Sequence, residues 1–201
     1  MEKMFSKLKK AYRCNSPKEA HQVIKELFGS IAPLPFWLSS VTRIQSAVFD
    51  TSPDYKTLFP DCIFYQGQLF LKLIYASHQL QDFPPISARL LTWNQIIESR
   101  DKEFQTEPEC DRCIFNVIDY APKQLSHDEI LDPSLVIRKF FKRRKLKDWV
   151  NRWNSFREMA TYSFSAVEGD ELEFLKDFTY FLKLTEACYL IHSRYSPIQT
   201  N

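Results

Sequence analysis

A chain of 201 residues that is 44% apolar, 26% charged and 15% aromatic has the composition of an ordinary globular protein. A compact chain of this length buries about 70% of its unfolded surface, enough for a core without staples. Its net charge of +2 is too small to argue for nucleic acid unless the charges are segregated, and its three glycines, Gly29, Gly67 and Gly169, exclude the phosphate-cradling loops that need clustered glycine.

Residues 2–13 place Met4, Phe5, Leu8 and Tyr12 at helical spacing among Lys3, Lys7, Lys9, Lys10 and Arg13. Such a basic amphipathic helix docks on the protein's own core or lies on an anionic membrane surface. Ser16-Pro17 predicts the start of a second helix, with serine as N-cap and proline in the first turn. Val23, Ile24, Leu27 and Phe28 form its stripe, and Gly29 is the expected stop. A third helix is expected over Phe36–Asp50. Ser52-Pro53-Asp54 opens a short helical turn that ends before Pro60.

The stretch 62–82 is apolar on nearly every face, the mark of a central helix. Pro84-Pro85 ends it, and an amphipathic helix follows over Ser87–Phe104. Residues 105–124 read as irregular and provide the one candidate seam (105–126); a single domain over 1–201 is the expectation. Ser126 with Glu129 three residues on makes a capping box. Helices then follow over Ser134 to about Arg144, Lys145 to about Tyr162, and Glu171 to about Arg194. The last begins with Asp170, Glu171 and Glu173 at the positive end of its dipole. The expected fold is therefore all-α: a single-domain bundle of about eight helices.

No run approaches the roughly 18 apolar residues of a membrane span, and no apolar signal region follows the basic N-terminus. Five scattered cysteines fit free thiols in a reducing compartment, so the expected location is cytoplasmic.

Charge is segregated. Between Arg138 and Arg157 nine cations face one acid, Asp148, so the segment carries +8 and the rest of the chain −6. The junction residues Lys139, Lys142, Arg143, Arg144, Lys145 and Lys147 are the candidate binding surface. Clustered Lys and Arg attract phosphate through counterion release, meet an acidic protein partner, or pair internally with the acidic start of the last helix. The rings between them (Phe140, Phe141, Trp149, Trp153, Phe156) follow a buried stripe rather than a base-stacking platform.

Cys110 and Cys113 have zinc-ligand spacing, and His127 lies within reach as a third ligand. A single such pair is a weak signal, and the βαβ setting of a redox pair is absent. His127-Asp128-Glu129 and the Pro108–Cys113 stretch contain the pieces of a nucleobase-deaminase motif in the wrong order and spacing. His21, His78 and His192 stand singly, and His78 and His192 belong to apolar helices. No catalytic motif emerges. The sequence favours a non-catalytic protein-interaction or regulatory module. Nucleic-acid binding through 138–147 is the second reading, and an enzyme with a site assembled from distant residues is the third.

Overall fold

A computed structural model of the chain describes residues 12–50, 60–81, 120–161 and 171–194. Among them the protein is helical, with no strand. The order is α1 (Pro17–Glu26), a π-helical turn (Leu27–Ile31), α2 (Leu34–Phe49), α3 (Pro60–His78), α4 (His127–Leu131), α5 (Ser134–Arg143), α6 (Leu146–Thr161) and α7 (Glu171–Arg194). The helix expected over 2–13, apart from Tyr12 and Arg13, and those near 52–54 and over 87–104 lie outside the described residues, as do Cys110 and Cys113. Of the segment expected to be irregular, Tyr120 to Gln124 is described as turn and coil.

The helix starts follow the local chemistry. The Ser16 hydroxyl accepts from the Glu19 amide at 3.2 Å, the Glu19 carboxylate accepts from the Asn15 amide, and Pro17 occupies the first turn. At α4 the Ser126 hydroxyl and the Glu129 carboxylate close the expected capping box. Gly29 does not end the first of these helices. The chain widens there into a π turn, with the Ala32 amide donating to the Leu27 carbonyl at 3.1 Å. Pro33 ends it instead, because the residue before proline is driven to extended backbone. The Trp37 indole N–H bridges the break, donating to the carbonyls of Ala32 (2.9 Å) and Leu27 (3.2 Å).

The long helix α7 is the hub, packing against α1, α2, α3, α4 and α5. Helix α6 packs on α2 and α3 and reaches α7 through its rings. The Phe181 ring meets Phe70, Phe140, Trp149, Trp153 and Phe156 at centroid distances between 4.9 and 6.3 Å. Phe156 stacks on Phe178 at 4.2 Å, and Phe140 on Trp149 at 4.0 Å. The aromatic stripe of 140–156 is thus core, as its spacing required. The apolar surround of α3 is incomplete: Phe64 and Tyr65 are exposed, while Phe70, Leu71 and Ile74 are buried.

Gly67 has a specific task. A Cβ there would stand 2.4 Å from Nε and 2.5 Å from Cδ of Arg157. The missing side chain is the room in which that buried guanidinium lies. It donates to the Phe64 carbonyl and the Asn154 side chain at 3.0 Å each, beneath the Phe64 ring.

Candidate functional site

Arg144, in extended conformation, breaks the helix between α5 and α6. The turn is held from within. The Phe140 carbonyl accepts the Trp149 indole N–H at 2.8 Å, and the Lys145 carbonyl accepts the amides of Asp148 and Trp149. This corner carries the candidate residues from Lys139 to Lys147.

Asp177 of α7 lies beneath the corner with no exposed surface. It is one turn beyond Glu173 and shares an inward face with Phe174, Phe178 and Phe181. Its carboxylate gathers three arginines: Arg143 at 3.2 Å, Arg144 at 3.1 Å and Arg152 at 3.2 Å. Glu173, half-exposed, pairs with Arg144 and more distantly with Arg143 at 3.9 Å. Aromatic faces hold the guanidiniums from behind: Arg143 over Tyr180, Arg144 over Trp149, and Arg152 over Phe174 and Phe156. Burial alone would lower the Arg144 guanidinium, but the hydrogen bonds and charge of Asp177 and then Glu173 outweigh it and raise it. The same pairing with Arg144 holds Glu173 below the usual carboxylate range.

Lys139 is tied elsewhere. Its ammonium donates to buried Glu129 at 2.9 Å, and Lys183 of α7 donates to the same carboxylate at 2.8 Å. Arg138 pairs with Asp132 at 3.0 Å. Of the six candidate residues, then, Arg143, Arg144 and Lys139 are engaged by acids from other elements, and Lys142 and Lys145 are exposed at the corner.

Burial would raise the Glu129 carboxyl. Hydrogen bonds from Lys183, the Ser126 amide and Lys139 outweigh this and hold it at about 2, against an ordinary 4.5. A carboxyl lowered by folding contributes stability that is complete above the unfolded value and is lost as pH falls. The expected result is a fall in stability between about pH 4.5 and 2 that is flattened in Glu129→Gln, measured by urea unfolding across that window. An unchanged slope in the variant refutes it.

Among the described residues the remaining buried acid, Glu186, does a different job. It accepts the amides of Lys123 (2.8 Å) and Gln124 (2.9 Å), fastening the chain ahead of α4 onto α7. Burial pushes its carboxyl up despite those amides. Sequence reasoning missed Asp177 and Glu186 as organising groups, and found Glu129 only as a capping-box residue. The signal for Asp177 was a carboxylate on the inward face of an aromatic helix.

His127 is exposed at the first position of α4, and its proposed zinc partners lie outside the described residues. Among the described residues no three His, Cys, Asp or Glu side chains are grouped to hold a metal. His78 meets the Phe141 ring edge-on at 4.9 Å, and His192 lies against Phe28 and Tyr189. A shallow cleft of about 320 Å³ is lined by Tyr12, Cys14, Glu19 and Lys72 among others. Its thiol is buried, and burial followed by the Glu19 charge pushes it up, opposite to what a nucleophile needs. Cys188 is likewise a buried free thiol. No described helix is long and apolar enough to cross a membrane.

Compared with models of protein families, with curated proteins and with solved structures, the chain matches none.

Proposed function

We propose that this chain is a non-catalytic interaction module that presents the α5–α6 corner to an acidic surface of a protein partner. The observation that carries the reading is the division of labour at that corner. The arginines and Lys139 are engaged by internal acids, which makes the corner rigid, while Lys142 and Lys145 face outward. A rigid platform with a few exposed ammonium groups suits a small acidic patch, where charge complementarity sets orientation and encounter rate.

The same numbers weigh against the second reading, nucleic acid bound through 138–147. A protein on duplex DNA typically neutralises about 6–10 phosphates, and about half of the segment's +8 is compensated by Asp132, Glu129, Glu173 and Asp177. Lys142 and Lys145 would give a salt slope of only about two.

The test has two arms. The immobilised chain should retain, from nuclease-treated extract, a protein partner that is lost on Lys142→Glu with Lys145→Glu. Fluorescence anisotropy with duplex DNA and single-stranded RNA should show weak binding with a shallow salt slope. A slope near −6 or steeper, reduced by about one per lysine removed, or a partner retained equally by the double variant, overturns the proposal.

A further inference from the structure

The three arginines around Asp177 offer more than Asp177 and Glu173 can take up. Three guanidiniums carry about fifteen N–H donors, against about eight lone pairs on two carboxylates. Among the described residues the cluster keeps one net positive charge, because three cations face two acids. The two acids are not equivalent. Asp177 is fully enclosed and fixed in the core. Glu173 is 46% exposed at its side chain and pairs with Arg143 and Arg144, whose side chains, like that of Arg152, are 21–27% exposed.

We propose that this cluster is a binding site for a single phosphate-type oxyanion, in which the Glu173 carboxylate is the resident occupant that the ligand displaces. Planar guanidiniums recognise phosphate oxygens through paired N–H donors. Here they are already oriented, by Asp177 from below and by the rings of Tyr180, Trp149 and Phe174 from behind, so little ordering cost remains on binding. A dianionic phosphate monoester brings more charge and more acceptors than the carboxylate it replaces, whereas a carboxylate ligand would bring no advantage. The site takes one anion rather than a track of them, and it uses none of the exposed lysines on which the protein-partner reading rests.

Glu173→Gln is the decisive variant, because it removes the negative charge that competes for the guanidiniums and leaves Asp177 and the fold in place. Titration of inorganic phosphate into the wild-type chain, followed by calorimetry and by the NMR signals of the arginine Nε–H groups, should show saturable binding, tighter by about threefold or more in the variant. Lys142→Ala with Lys145→Ala should leave that titration unchanged. A phosphoserine peptide run in parallel separates the sources. Binding at least about tenfold tighter than inorganic phosphate assigns the ligand to a phosphorylated protein segment. Equal affinity assigns it to a free phosphate compound. Either result supports the site. Absence of saturable binding, equal affinity in wild type and Glu173→Gln, or loss of binding with the lysines overturns it.

Discussion

Replacing Asp177 with alanine is expected to cost the fold about 3–5 kcal/mol, the range for removing one partner from a buried ionic group. Asp177 has no exposed surface and touches three arginines that are themselves only partly exposed. Removing the carboxylate leaves three like charges converging on a space lined by Phe174 and Tyr180. Their mutual repulsion is then relieved only by turning the side chains outward, away from their aromatic supports. Asp177→Asn keeps the volume and part of the hydrogen bonding, and should lose nearly as much because the charge is what the site requires. A double-mutant cycle with Arg152→Met should show positive coupling, since one cation fewer repels less. Equilibrium denaturation in urea checks this, at low salt and at high salt, where the penalty should shrink. A loss below about 1 kcal/mol would show the cluster to be as weak as an ordinary surface pair.

Trp153→Ala is expected to destabilise by about 3–5 kcal/mol, as large-to-small changes at buried aromatics do. Trp153 is 1% exposed, packs on Phe70 at 4.3 Å and Phe181 at 4.9 Å, and donates its indole N–H to the Gly67 carbonyl at 2.9 Å. It thereby joins α6, α3 and α7 in one contact. The cavity left behind cannot collapse easily, because its walls are rings held by other rings. Trp153→Phe should cost much less, retaining most of the packing and losing about 1 kcal/mol for the hydrogen bond together with some buried area. If the alanine variant unfolds at the same urea concentration as the phenylalanine variant, the packing account fails.

Helix existence and core faces were legible because both depend on local pattern. The 3.6-residue spacing of Leu146, Trp149, Val150, Trp153, Phe156, Met159 and Ala160 demanded an inward stripe; five of these are buried, and Leu146 and Met159 are partly buried against the core. The capping box at Ser126 and Glu129 needs only four consecutive residues, and the structure closes it. Where two local signals competed, the reading went astray. Gly29 resembled a helix stop, but Pro33 carried the stronger constraint, and a π turn took up the residues between them.

The candidate surface was legible as charge and illegible as arrangement. Net charge between Arg138 and Arg157 can be counted along the chain, and that count gave no means of telling Arg143 and Arg144 from Lys142 and Lys145. Composition, glycine scarcity and apolar periodicity determined that this protein is an all-helical bundle with an aromatic core, because those are sums over short windows. Only the tertiary structure decided which cations are bound. Asp177 is more than thirty residues from Arg143 and Arg144 in the chain, and ion pairing depends on distance in space, set when α7 docks against α5 through Phe140 and Phe181. Burial then makes that one carboxylate strong enough to gather three arginines.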